Sequence, residues 1–265
     1  MKHNNHSEND NGNGHPRGNR RRFIPSAFTI FNMFFGFLSI LASFKGQYTQ
    51  AAWLIIIGAF FDSLDGKLAR ALGSTSEFGI QFDSLADIIT FCAAPSVFVY
   101  RVWSSDLGLV IGGFFAFFPL MLGSIRLAKF NLEATGAQKT RFIGMPTPMG
   151  ALCIIGMYLF FSQLHAYPWL HWYPRSSAGD ARVALPFVMI ISFMLLSKIP
   201  FPKFPPFSMH GGLKGNWQII LTVLLMTLVF YTKGFVLLPI LIIFIIFGLI
   251  VWSQEARIAL ENKEG

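Results

Sequence analysis

From residue 24 onward the chain is a succession of apolar runs, each about twenty residues long, divided by short polar breaks. A run of that length is what an α-helix needs to cross the hydrocarbon core of a bilayer. Backbone in lipid must satisfy its own hydrogen bonds, so open sheets are excluded and helices are the available solution. The runs fall at roughly 24–44, 51–71, 83–103, 107–130, 147–165, 183–199, 217–232 and 235–252. They predict an all-α integral membrane protein, a polytopic bundle of about eight transmembrane helices. Composition agrees: 53% of the 265 residues are apolar, 30 are Phe, and 13% are charged, against about 25% charged in a soluble domain.

The breaks are chemical. They include Lys45-Gly46-Gln47, Gly73 to Glu77, Glu133 to Thr140, the segment 166–180 and the proline-dense stretch Pro200 to Pro206. Residues 1–22 hold almost no apolar side chain and read as a disordered basic tail. Residues 23–253 form the transmembrane domain and 254–265 a second tail. The first apolar run exceeds a signal-peptide core, so it reads as a retained span. With the N-terminus inside, 16 of the 21 Lys and Arg fall on the cytoplasmic side. The positive-inside rule then places both termini in the cytosol, and the expected location is the cell's inner (cytoplasmic) membrane. The net charge of +8 partly reflects the tail, and the aromatics lie inside apolar runs, which argues against a nucleic-acid partner. Cys92 and Cys153 have no ligand set around them and imply neither zinc nor disulfide. Trp53, Trp103, Trp217 and Trp252, near run ends, resemble interfacial anchors, and Pro119 predicts a kink in the fourth run.

Only 13 acidic residues exist, and Asp62, Asp65, Asp83 and Asp87 crowd into a 26-residue window between apolar runs. Carboxylates inside a membrane are costly and usually functional. On a helix Asp62, Asp65, Gly66, Ala69 and Arg70 share an arc of roughly 140°. Asp83 and Asp87 share a face with Gly79 one turn back. If one helix descends to the cytosol and the next returns, the two acidic pairs meet near that boundary. Such an oxygen-rich cluster suits Mg²⁺ or Mn²⁺. Without a cation the carboxylates would repel strongly. Two bridged metals would suit a diphosphate and the charge that develops on a leaving phosphate. Gly66 and Gly79 would let a substrate approach the backbone, and Arg70 can pair with a phosphate. The bland alternatives are salt-bridged helix pairing, glycine packing contacts and a snorkelling arginine.

From Asp62 to Asp87 the sequence reads DSLDGKLARALGSTSEFGIQFDSLAD, fitting D-x2-D-G-x2-A-R-x8-G-x3-D-x3-D at every fixed position. This resembles the signature of the CDP-alcohol phosphotransferase family, membrane enzymes that transfer a phosphatidyl or related group from a CDP-linked donor to an alcohol, releasing CMP. Further segments, IPSAFTIFNMFFGFLSI, FDSLADIITFCAAPSVFVY, RLAKFN and FIGMPTPMGA, resemble the branch of that family that transfers to serine.

The resemblance implies that Asp62, Asp65, Asp83 and Asp87 ligate metal, with Asp87 also the proton acceptor. It implies that Gly66, Arg70 and Ser76 contact the CDP part of the donor, with Asn32 closing that pocket and Gly79 beside it. CDP-diacylglycerol and L-serine are then the substrates, CMP and phosphatidylserine the products, and a divalent ion, Mg²⁺ or Mn²⁺, the cofactor, as two ions. A homodimer surrounded by membrane lipid is the implied assembly. An amino-acid acceptor brings a carboxylate that needs cations. Arg126, still within an apolar run, and Arg141 are the candidates, Lys129 reading equally as a lipid anchor. Transfer to another alcohol, glycerol 3-phosphate or an inositol phosphate, is the neighbouring alternative. A cation-coupled transporter is the alternative from another class, but transport would spread polar groups across the midplane, whereas these gather at one end.

Overall fold

The computed structural model describes residues 27–72, 77–135, 144–164, 178–197, 199 and 217–264; at 65–72, 77, 133–135, 217–223 and 255–264 only the backbone is described. These residues form eight helices: α1 (Ala27–Phe44), α2 (Tyr48–Leu72), α3 (Glu77 to Leu107), α4 (Leu109–Thr135), α5 (Thr147–Leu164), α6 (Ala181–Leu195), α7 (Trp217–Tyr231) and α8 (Leu237–Glu264). Each lies where an apolar run predicts it. Five stretches are long and apolar enough to cross a membrane: Ala27–Phe44, Phe78–Leu107, Leu109–Leu132, Thr147–Leu164 and Leu237–Gln254. Tyr48–Leu64 and Ala181–Leu195 are shorter apolar helices. The chain is thus an all-helical, multi-pass membrane protein in its described residues, with five such stretches rather than a demonstrated eight.

The ends of the helices follow from local chemistry. After α1, Gly46 takes φ +74°; its N–H bonds the Ser43 carbonyl and that of Gln47 the Ala42 carbonyl at 2.9 Å, the Schellman termination that a glycine permits. Arg101 adds its Nε and Nη2 to the Ser43 and Phe44 carbonyls, both at 3.4 Å, so the orphan acceptors of α1 are met. The turn between α7 and α8 repeats the device with Lys233 at φ 50° and Gly234 at φ 84°. Asp180 caps α6 by accepting from the Arg182 N–H at 2.8 Å.

Packing places α5 at the centre, against α2, α3, α4, α6 and α8. Its Ile155 and Leu159, with Ile55, Phe98, Val99 and Val188, are fully buried. Outward faces are apolar: Val110 is 82% exposed and Phe230 75%, the inverse of a water-soluble surface and right for lipid contact. Trp103 departs from its expected anchoring role. It is buried and donates its indole N–H to the Ala178 carbonyl at 2.8 Å, so it belongs to the core. Pro119 is accommodated inside α4, and α8 carries the expected tail onward as helix to Glu264.

α3 is one rod with mixed winding. It is α-helical over Glu77–Asp87, π-helical over Ile88–Ala93, α-helical over Ala94–Val99, π-helical again over Tyr100–Ser104, and ends in a 3₁₀ turn at Ser105–Leu107. The Ala94 N–H reaches back five residues to the Ile89 carbonyl, the bond that defines the wider turn. That wide turn begins directly after Asp87.

Candidate active site

The acidic window spans the end of α2 and the start of α3. These antiparallel neighbours bring Asp62 beside Asp83 and Asp87, whose side chains each offer an oxygen within 4.8 Å of the others. Asp62 and Asp83 are half-buried and Asp87 is buried at 9% exposure. At that separation each pair of charged carboxylates costs about 3 kcal/mol at an effective dielectric near 20. Clustered hard oxygens of this kind fit a divalent cation, which removes the repulsion. Asp65, Gly66 and Arg70 follow in the helical run of α2, but their side-chain positions lie outside the described residues, as do Ser76 and Arg141. Gly79, half-buried, lies one turn before Asp83.

Asn32 comes from α1 and meets Asp87 directly. Its side-chain amide donates to Asp87 Oδ1 at 3.1 Å from a fully buried position. Its backbone carbonyl accepts from the Thr90 hydroxyl at 2.9 Å. The three helices approach closely because glycines line the crossing. A Cβ at Gly58 would stand 2.7 Å from Thr90 Cγ2 and 3.2 Å from Asn32 Oδ1, and one at Gly36 would meet Thr90 itself. Asn32 Oδ1 is buried without a hydrogen-bond partner, so the amide is held by what it gives to Asp87. The sequence singles out Asn32 as a pocket-closing residue; its bond to Asp87 has no sequence signal, because 55 residues separate the two.

Arg126 comes from α4, which packs against the π-helical turn of α3 that follows Asp87. Its guanidinium bonds Thr147, donating from Nη1 to the hydroxyl at 2.8 Å. Its Nε–H is buried without an acceptor. Ser84 and Asn131 exchange hydrogen bonds at 2.9–3.1 Å and tie α3 to α4 at the level of the carboxylates. Of the residues predicted from the sequence, the structure therefore brings together Asp62, Asp83, Asp87, Asn32 and Arg126. Thr90 and Thr147 were missed. Their only signal is a hydroxyl in an apolar setting, which packing explains just as well.

Comparison with known proteins matches residues 22–196, well over half the chain, to the family model described as CDP-alcohol phosphatidyltransferase. The chain is 30% identical over 232 residues to a CDP-diacylglycerol–serine O-phosphatidyltransferase of Helicobacter pylori, covering 86% of this chain and 90% of that one. It is 30% identical to the protein of the same name in Bacillus subtilis, covering 74% of this chain and 99% of that one. It is 32% identical to the archaetidylserine synthase of Methanothermobacter thermautotrophicus, covering 68% and 70%.

Proposed function

The chain belongs to the CDP-alcohol phosphatidyltransferase family, and from that premise we propose that it transfers the phosphatidyl group of CDP-diacylglycerol to the hydroxyl of L-serine, giving phosphatidylserine and CMP. The observation that carries the reading is the convergence of Asp62, Asp83 and Asp87 within 4.8 Å at one end of a lipid-embedded bundle. The choice of serine rests on relatives named for serine transfer at about 30% identity over most of the chain.

The donor's acyl chains stay in lipid while its diphosphate lies at the acidic end. Asp62, Asp65, Asp83 and Asp87 would hold the divalent ion, Mg²⁺ or Mn²⁺, whose chemistry when bound is to polarise the diphosphate and offset charge on the leaving nucleotide. Arg70, Gly66, Gly79 and Ser76 serve the CDP end. Asp87 accepts the serine hydroxyl proton. The hydroxyl oxygen forms a bond to the phosphorus that carries diacylglycerol, and the bond from that phosphorus to the oxygen bridging toward CMP breaks. The proton leaves Asp87 to solvent as CMP departs. Asn32 fixes Asp87 throughout, and Arg126, with Arg141 as a second candidate, offers a cation to the serine carboxylate. The charge distribution supports a cytoplasmic site, with both termini on that side; the membrane assigned in this reading is the cell's inner membrane.

The test offers purified protein CDP-diacylglycerol with Mn²⁺ or Mg²⁺ and, separately, L-serine, glycerol 3-phosphate or an inositol phosphate. CMP release and product mass are measured. Serine-dependent release with the mass of phosphatidylserine is expected; release with only a phosphorylated acceptor overturns the reading.

A further inference from the structure

Arg126 is placed in a way that its own stability does not explain. It sits in the apolar part of α4, which packs against the π-helical turn of α3 that follows Asp87. The short route to satisfaction would be a direct ion pair with that carboxylate. Instead its Nη1 is drawn to Thr147 at 2.8 Å and its buried Nε–H goes without an acceptor. A buried donor left unpaired costs about 1–3 kcal/mol, so this arrangement suits a group that arrives later.

Thr147 is built to hold that position. It is the first residue of α5 and is fully buried. The chain before it is docked on the end of α6, the Gly144 N–H bonding the Ile199 carbonyl at 3.0 Å and that of Met145 the Met194 carbonyl at 3.2 Å. Gly144 takes φ +95°, and a Cβ there would lie 2.7 Å from the Leu195 carbonyl oxygen. On the α4 side, a Cβ at Gly123 would stand 3.6 Å from Thr147 Cγ2 and 2.5 Å from Cys92 Sγ, so α3, α4 and α5 close tightly around it. The backbone that holds the hydroxyl is therefore anchored chiefly on α6, which carries none of the aspartates.

We propose that Thr147 is a positioning residue for acceptor specificity: it holds Arg126 off Asp87 as a single-charge clamp, so that the site takes a small hydroxy-amino acid by its carboxylate. The proposal rests on the serine reading above. One guanidinium matches one carboxylate. A phosphorylated alcohol carries about −1.5 to −2 charges and would want a second buried cation; among the described residues of α4 the other cation, Lys129, one turn along, is exposed. Without the Thr147 hydroxyl the guanidinium is free to swing onto Asp87, and the clamp is lost.

The test uses the full-length protein in phospholipid–detergent micelles with CDP-diacylglycerol and Mn²⁺. L-serine is compared with serinol, which keeps the amine and a hydroxyl but has no carboxylate. Wild-type protein should prefer serine in kcat/KM by at least tenfold. Thr147→Val, which keeps the shape and deletes the hydroxyl, should raise the serine KM at least tenfold and shrink that preference by the same factor. Its CDP-diacylglycerol KM should stay within twofold, and Thr147→Ser should restore the preference. Equal use of serine and serinol by the wild type overturns the proposal even if the valine variant does not fold. A serine KM within twofold in Thr147→Val, or equal losses on both acceptors, also overturns it. Wild-type protein that uses only phosphorylated acceptors overturns the serine reading, and the proposal with it.

Discussion

Replacing Asn32 by Leu removes one hydrogen bond while keeping the branching of the side chain, two methyl groups standing where the amide O and N were, and its effect can be worked from the contacts. The amide donates to Asp87 Oδ1 at 3.1 Å from a site without solvent exposure, so water cannot substitute. A hydrogen bond to a charged group contributes about 1.5–3 kcal/mol, which converts to roughly 10- to 150-fold. Because Asn32 orients the proton acceptor, that factor should fall on kcat, with the CDP-diacylglycerol KM within about threefold. Asn32→Asp makes the sharper comparison. It leaves the shape unchanged but sets a carboxylate where the donor stood, and like charges 3.1 Å apart repel by about 5 kcal/mol at an effective dielectric near 20. Serine-dependent CMP release, measured across donor and serine concentrations, separates the two parameters. The expected order is wild type, then Asn32→Leu, then Asn32→Asp. An Asn32→Leu enzyme with kcat within twofold of wild type, or one whose whole loss lies in the donor KM, refutes the positioning role.

Asp62→Asn and Asp83→Asn should each lower CMP release at least 10³-fold and weaken Mn²⁺ binding, read independently as loss of Mn²⁺-induced thermal stabilisation. Stripping divalent ions with EDTA should abolish release and lower the unfolding temperature, since the mutually close carboxylates of Asp62, Asp83 and Asp87 are then left to repel; Mg²⁺ or Mn²⁺ should restore both. Gly58→Ala should destabilise the fold by about 1–3 kcal/mol and reduce activity, because its Cβ would lie 2.7 Å from Thr90 Cγ2; an unchanged unfolding temperature would refute a close-packed crossing of α1, α2 and α3.

What could be read from the sequence was what is local or periodic. Apolar run length located the helices of the described residues, and Lys45-Gly46-Gln47 marked a break that the chain closes as a Schellman turn. The spacing from Asp62 to Asp87 brought two helix faces together because a short connection forces them antiparallel. The start of α2 at Tyr48, three residues before the apolar run, was not legible: Tyr48 and Thr49 look like loop but bond the Arg101 carbonyl and the Tyr158 hydroxyl, both at 3.2 Å. Nor were the π-helical stretches, which leave no composition signature. The partners of the acidic cluster were the least visible. Asn32 reaches Asp87 across 55 residues and Arg126 reaches Thr147 across 21, and no periodicity encodes such contacts. Trp103 was misread for the same reason, since its fate was decided by a carbonyl 75 residues away.

The claim on which the rest depends is that the carboxylate cluster performs phosphatidyl transfer to serine. Its most direct measurement is serine-dependent CMP release from CDP-diacylglycerol by purified wild-type and Asp87→Asn proteins of matched unfolding temperature. The account predicts phosphatidylserine and CMP in equal amounts from the wild type and a loss of at least 10³-fold in the variant. Normal serine-dependent release by Asp87→Asn would contradict it.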